Sequence, residues 1–204
     1  MEMLTAVTAD VMNRLSPDAG VVMVDVDLDG ITDASSMVAL IDQMRADPQH
    51  WIGVTDGGIK VNEGRTWWSP TYDGKRMPYV GDKFLDTAEP KISFTLLEMT
   101  PENVKLASAA ADVNTDVATK TVITPRATVK KGDYHTNLVF VTMVGTDGLY
   151  VAVQENALCT KGLDLSTADK NVAKLAVEFT AHKNDPTSQD TLPQRYFFLR
   201  NAAA

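Results

Sequence analysis

The chain has 204 residues, of which 44% are hydrophobic and 23% are charged. This composition is close to that of folded soluble proteins, so it excludes wholesale disorder, and the length is sufficient for a substantial core. The formal charge of −8 is opposite to the basic footprint of proteins that grip phosphates, which excludes nucleic acid as a tight ligand.

The first residues, MEMLTAVTADVMNRL, lack the basic and continuous apolar regions of a secretory signal. No stretch approaches the roughly 20 apolar residues that a membrane span requires, so we expect synthesis in the cytoplasm and no membrane partner. Cys159 is the single cysteine, which excludes an internal disulfide and a cysteine zinc cluster. We expect it to be a small buried hydrophobe rather than a reactive thiol.

The first strand-like run, GVVMVDVDL, ends in aspartates at alternate positions: Asp25, Asp27 and Asp29. A period of two directs these carboxylates to one face of a strand, opposite a face of valine and leucine side chains. The simplest interpretation is therefore a wet, acidic strand face.

The same run also resembles the first motif of haloacid-dehalogenase-type phosphatases, in which paired aspartates hold magnesium and one is the nucleophile. Asp27 and Asp29 would fill those positions, and Asp82 and Asp86 in GDKFLD resemble the family's later acidic motif. However, Ile31 stands where the family has threonine. About fifty residues between the motifs are too few for the several βα crossovers of a parallel sheet.

A calcium-binding EF-hand loop is a further alternative for these aspartates, but Ser36 occupies the twelfth position, where a bidentate glutamate is needed. The three histidines are far apart in the sequence, and the chain has neither a phosphate-binding glycine loop nor a serine nucleophile elbow. The sequence therefore predicts no catalytic, cofactor-binding or metal-binding residue, and a protein that is not an enzyme.

An amphipathic helix is predicted next, in DASSMVALIDQMRADP. Asp33 or Ser35 is the candidate N-cap, and Pro48 lies just beyond the end. Its apolar stripe comprises Met37, Leu40, Ile41 and Met44. The glycines of DGG at 56–58 then predict a turn between two strands.

Residues 62–90, NEGRTWWSPTYDGKRMPYVGDKFLDTAEP, show no sustained period and predict a long loop or an extended hairpin. The mixture of aromatic and basic side chains is typical of a contact surface, although the tryptophans could instead complete the domain's own core. The predicted contact residues are Arg65, Trp67, Trp68, Tyr72, Lys75, Arg76 and Tyr79.

The rest of the chain is dominated by strand patterns with a period of two. KISFTLLE and AKLAVEFTAH each direct three large apolar side chains to one face, and RYFFLR predicts a last strand. NLVFVTMVGTDGLYVAVQENAL predicts a hairpin with its turn at residues 145–148. In EMTPENVKLASAAADV, Thr100 is a candidate N-cap and Pro101 the first residue of a second helix.

These elements predict one mainly β domain over residues 1–204, with antiparallel sheets arranged as a sandwich or barrel and one or two short helices. Two motifs in it resemble major tail tube proteins of long-tailed bacteriophages. The first, G-x-T-x-G-G, is matched by Gly53, Thr55, Gly57 and Gly58, and the second, E-x-T-x-E-N, by Glu98, Thr100, Glu102 and Asn103. The closing segment KLAVEFTAHKNDPTSQDTLPQRYFF is similar to the family's terminal strands, so the resemblance spans roughly residues 50–200.

The resemblance implies a β-sandwich subunit in the virion tail that closes into hexameric rings and stacks into a hollow tube, without catalysis. Its partners would be further copies of itself and the tape measure, tail terminator or baseplate proteins, and DNA would pass through without tight binding. Acidic strand faces, including Asp25, Asp27 and Asp29, would then line the channel. The alternative from another class is a monomeric β-sandwich binding module that holds a glycan or protein with the loop from Trp67 to Tyr79.

Overall fold

A computed structural model describes residues 16, 18–47, 49–117, 119–145, 148–187 and 190–200. Within these ranges the chain is mainly β, as expected, with two short α-helices. The strands are β1 (Val21–Val24), β2 (Thr55–Asn62), β3 (Arg65–Trp68), β4 (Phe84–Ala88), β5 (Lys91–Leu96), β6 (Ala111–Val117), β7 (Lys120–Pro125), β8 (His135–Val144), β9 (Gly148–Cys159), β10 (Leu165–Ser166), β11 (Lys174–Thr180) and β12 (Gln194–Arg200). The helices are α1 (Ala34–Met44) and α2 (Pro101–Ala107).

Two antiparallel sheets share the long strand β9. In the first sheet the order is β1-β8-β9-β12, and in the second it is β9-β11-β5-β2, with the short β10 beside β11. Along its second edge, β9 pairs first with β12 and then, at Leu158 and Cys159, with β11. The predicted hairpin of β8 and β9 is confirmed, although Thr146 and Asp147 of its turn lie outside the described residues.

The two sheets pack face to face around one buried core. Alternate side chains of β5 and β11 enter it, as the period of two predicts. They meet alternate side chains of β1, β8 and β9 from the first sheet. The largest fully buried members of this core are Val22, Ile52, Ile92, Leu96, Leu138, Leu175 and Phe179, and Cys159 is buried among them as expected.

Helix α1 covers the opposite face of the first sheet, so the molecule has three layers. Met37 and Ile41 of the predicted apolar stripe are buried against Met23, Val139 and Val151. Burial of such side chains stabilises this layer by ~25 cal/mol per Å² of apolar surface removed from water. The strands of the first sheet therefore carry apolar residues on both faces.

Both helices begin at predicted N-caps. The Asp33 carboxylate accepts a hydrogen bond from the Ser36 N–H at 2.8 Å, and the Thr100 hydroxyl accepts one from the Asn103 N–H at 3.1 Å. Helix α2 ends at Ala107 rather than continuing through the alanines that follow. Pro48, expected just beyond α1, lies outside the described residues. No helix in the described ranges is long and apolar enough to cross a membrane.

The two motifs that carry the resemblance are in contact in the folded chain. The Glu98 carboxylate accepts a hydrogen bond from the Val54 N–H at 3.0 Å, and a side chain at Gly53 would collide with it. The Asn103 amide donates to the Ile52 and Glu98 carbonyls at 3.2 and 3.1 Å. These residues therefore fix the start of α2 against the segment that leads into β2.

Two local expectations are wrong. The DGG segment does not form a turn; it lies within β2, where Gly57 and Gly58 have positive φ and the register with β5 shifts between Asp56 and Lys60. This is a β-bulge, for which glycine is suited because it has no Cβ. The second difference is at the end of the stretch EMTPENVKLASAAADV, where residues 111–113 belong to β6 of the hairpin β6–β7 and not to the second helix.

The end of α2 provides a test of the local backbone. Ala109 has a φ of +59°, a conformation that suits glycine and strains a residue with a Cβ. We expect Ala109→Gly to raise the free energy of unfolding by roughly 0.5–1 kcal/mol. Ala39→Gly, on the exposed side of α1, is the matched control and should lower it by a similar amount. Chemical denaturation of both variants measures the two changes, and a destabilised Ala109→Gly would contradict this description of the α2 terminus.

Candidate assembly surface

The hairpin β3–β4 projects from the edge of the second sheet and is called the arm here (residues 65–88). It continues the β2–β5 ladder, because Asn62 lies opposite Lys91 at the end of that ladder and Arg65 lies opposite Ala88 at the start of the arm. Between the two ladders, the Glu89 N–H donates to the Gly64 carbonyl at 3.3 Å. Residues 62–90 therefore form a hairpin of two short strands that carries a long loop at residues 69–83, so both predicted alternatives are present in part.

Gly64 is the residue through which the chain leaves the body. It has a φ of +57°, and a Cβ at this position would lie 2.3 Å from the Glu89 carbonyl oxygen. Two backbone strands approach so closely here that no side chain fits between them. The direction of the arm is consequently fixed by backbone contact at its base.

The arm exposes large apolar side chains on both of its faces. Trp68 lies opposite Phe84, with ring centroids 5.7 Å apart, and Trp67 lies opposite Leu85 on the other face. The tryptophans are 53% and 56% exposed, so neither completes the core of the body. Asp86 is the extra residue of a bulge in β4 that brings both tryptophans opposite apolar partners.

The tip of the arm is held by an ion pair. The Lys75 ammonium lies 2.6 Å from the Asp82 carboxylate, donates to the Pro70 carbonyl at 2.7 Å and lies over the Tyr72 ring. Hydrogen bonds from Lys75 and from the Tyr79 N–H hold the pKa of Asp82 below its ordinary value. The tip is thus organised around Lys75, whose role is internal to the arm.

All seven predicted contact residues lie in the arm, and all except Lys75 are exposed. Sequence reasoning missed the apolar residues that share these surfaces: Met77, Val80, Phe84 and Leu85. The available signal was the apolar pair at positions 84 and 85, which a hairpin brings opposite the two tryptophans.

A second exposed aromatic surface lies on the first sheet, where β12 extends beyond the cover of the second sheet. Tyr150 lies between Thr142 of β8 and Phe198 of β12 in register, and Tyr196 stacks on Tyr150 at 6.0 Å. Exposure increases along this face of β12, from buried Gln194 to 38% at Tyr196 and 67% at Phe198. We call Tyr150, Tyr196 and Phe198 the aromatic surface.

The aromatic surface adjoins the base of the arm. Burial and the neighbouring Glu63 carboxylate raise the pKa of Tyr196 to about 12. Glu63 also pairs with Arg65 at 2.7 Å, and alternation along β3 puts Arg65 on the same side as Trp67. The Trp67 face of the arm is therefore turned towards the chain's own aromatic surface, and the Trp68 face is turned away from it.

The aspartates after β1 do not share a strand face, so that expectation is wrong. Strand β1 ends at Val24, and Asp25 has a φ of +54°. Its carboxylate accepts hydrogen bonds from the Thr136 N–H at 2.6 Å and hydroxyl at 2.9 Å, and lies 2.6 Å from His135 Nδ1. Asp27 and Asp29 are exposed, and the Asp29 N–H donates to the Asp27 carboxylate.

A cavity of about 470 Å³ lies between α2, β6–β7 and the end of β1. His50 and His135, distant in sequence, both line it, and each uses Nδ1 in a hydrogen bond to the chain itself. Cys159 also lines the cavity, and burial raises the pKa of its thiol. In the described part of the chain, no group of three or more His, Cys, Asp or Glu side chains is placed to hold a metal ion.

No protein-family model matches the chain, and no curated protein matches it.

The contacts of Asp25 predict how stability depends on pH. Burial alone would raise the pKa of its carboxyl, but the hydrogen bonds from His135 and Thr136 outweigh burial and lower it. A lowered folded-state pKa contributes stability that is present above the unfolded-chain value of about 3.9 and is lost as pH falls through the folded-state value. We therefore expect Asp25→Asn to cost roughly 1–2 kcal/mol at neutral pH, and less as the solution is acidified.

Denaturant unfolding of wild type and Asp25→Asn between pH 3 and 7 measures this dependence. Asparagine tolerates a positive φ, so the substitution removes the charge without adding backbone strain. Asp27→Asn, which removes an exposed charge nearby, is the control and should change stability by less than ~0.5 kcal/mol at neutral pH. Equal stability of wild type and Asp25→Asn at neutral pH would show that the carboxylate contacts contribute nothing.

Proposed function

We propose that the protein is a structural subunit of a bacteriophage tail tube, which assembles with copies of itself through the arm. The observation that carries the proposal is the pair of apolar faces on the arm. A two-stranded ribbon with tryptophans on both faces and no layer of its own body over them is unstable as a free element. It is suited to lie between surfaces of other subunits.

The edges of the sheets support assembly as well. Within the described residues, β2 and β12 each pair with a single strand, whereas the outer side of β1 is bonded to the segment 50–52. Such edges pair readily with another chain, and a ring of subunits covers them. Contacts between different surfaces of identical subunits close into rings, and stacked rings form a tube. The proposed arrangement is a stack of hexameric rings, in keeping with the resemblance of the two motifs.

The charge of the chain suits passage of DNA through such a tube. A formal charge of −8 repels phosphates, so a genome slides along the wall without binding it. Asp27 and Asp29, which are exposed, remain the candidates for the channel wall, whereas Asp25 is engaged with β8. The tape measure protein and the terminator or baseplate proteins would be further partners in the virion tail. None of these roles requires catalysis.

Assembly is tested by electron microscopy and analytical ultracentrifugation over a range of concentrations and incubation times. We expect hollow tubes or stacked rings. A protein that stays monomeric at every concentration contradicts self-assembly and favours a monomeric binding module, for which the exposed tryptophans would contact a glycan or protein. Binding of the monomer to a panel of glycans then tests that alternative.

Excision of the arm tests its part in assembly. Arg65 and Ala88 lie opposite each other, so an Asn-Gly turn that replaces residues 66–87 closes the ladder as a short hairpin. We expect this variant to fold with the unfolding cooperativity of wild type but to form no tubes, because the body keeps its core and loses the apolar faces. Tubes of normal length from the excised variant would remove the arm from the assembly mechanism.

A further inference from the structure

The arm and the aromatic surface are complementary in chemistry and separate in position. Outside the arm, Tyr196 and Phe198 are the exposed aromatic side chains of the described residues. Both remain exposed although the arm begins beside them, so the chain's own arm does not cover this surface. An aromatic ring gains most from contact with another ring or an apolar side chain, because offset and tilted pairs add to the effect of burial.

Geometry distinguishes the two faces of the arm. The Trp67–Leu85 face lies on the side of Glu63 and Arg65, next to the chain's own aromatic surface. The Trp68–Phe84 face points away from it and cannot reach it. The Trp68–Phe84 face is therefore available only to another molecule.

Charge favours a second copy as that molecule. Residues 65–88 contain four basic and three acidic residues, a net charge of +1. The whole chain carries −8, so the remaining residues carry −9. An arm is attracted to the body of another copy, whereas two bodies repel each other.

We propose that the Trp68–Phe84 face of one copy docks on the aromatic surface of a second copy, formed by Tyr150, Tyr196 and Phe198. This inference rests on the proposed self-assembly and names the surface that receives the arm. The incoming arm also lies against the Trp67–Leu85 face of the second copy, which begins beside the aromatic surface. Both faces of each arm are then covered, one by the neighbour's body and the other by the next incoming arm.

The contact joins two different surfaces, so each copy has one donor face and one receiving surface. Such a head-to-tail contact propagates from copy to copy until a ring closes or a filament grows. Blocking either surface leaves the other intact. In a mixture of two variants, one defective in the donor face and the other in the receiving surface, one intact contact therefore remains, and it joins the two copies as a dimer.

The test uses Trp68→Asp, which disables the donor face, and Phe198→Asp, which disables the receiving surface. Both side chains are more than half exposed, so both variants should fold, and circular dichroism with thermal unfolding checks this. If Phe198→Asp unfolds below the temperature of the experiment, Phe198→Ser replaces it. Val172→Asp is the matched control, because it adds the same charge at a 58% exposed apolar residue that precedes β11, at the end of the β11–β5–β2 ladder opposite the arm.

Analytical ultracentrifugation of the separate and mixed variants gives the result. We expect each variant alone to associate at least tenfold more weakly than wild type, and Val172→Asp to associate normally. An equimolar mixture should form a 1:1 complex of about twice the 22.2 kDa subunit mass, because one intact contact remains. Tryptophan fluorescence should shift to the blue in the mixture as the intact arm of the Phe198→Asp copy becomes buried.

Two failures are distinguishable. In the first, wild type assembles and the arm-excised variant does not, but Phe198→Asp assembles normally or the mixture forms no complex. The receiving surface then lies elsewhere on the body, and the tube proposal stands. If wild type stays monomeric and the mixture shows no complex, both proposals fail together.

Discussion

Strand β9 is the element on which both sheets depend, because it pairs with β8 along one edge and with β12 and then β11 along the other. At the passage from β12 to β11, Asn156 has a φ of +46°, and the Glu155 N–H and carbonyl bond to the flanking segments. This irregularity turns the chain from one layer of the sandwich to the other. It also places β11 beside β5, whose ladder with β2 continues into the arm. The position of the arm on the body therefore depends on β9, although β9 contributes no residue to the arm.

The sequence predicted those features that neighbouring residues determine. Ile92, Phe94 and Leu96 alternate with polar residues, so the buried face of β5 follows from the period of a strand. Asp33 and Thr100 cap their helices through N–H groups three residues away, and such short-range chemistry is visible in a single segment. The composition of the arm predicted a contact surface, which stays a prediction, and the exposure of the tryptophans excludes the alternative in which they complete the domain's own core.

Other features depend on partners that are distant in the sequence. Asp25 leaves the strand conformation because His135 and Thr136, 110 and 111 residues away, hold its carboxylate. The local alternation of apolar and acidic residues predicted that the strand continues, because it contains no information about that distant contact. Gly57 and Gly58 suit both a turn and a bulge, and only pairing with β5 selects the bulge. The aromatic surface was not predicted, because Phe198 is exposed only where the first sheet extends beyond the second, and the sequence does not show where that point lies.

The pairing of β1 with β8 has a consequence for the order of events during synthesis. Strand β1 emerges first, but its partner β8 follows more than a hundred residues later, and β12 completes the sheet only near the end of the chain. Strand pairing over such separations is slow compared with local structure. The arm is therefore translated before the sandwich that supports it can form. During that interval its apolar side chains are exposed to other nascent chains. Correct folding therefore requires the sandwich to close before these exposed hairpins meet one another, and slower closure increases aggregation.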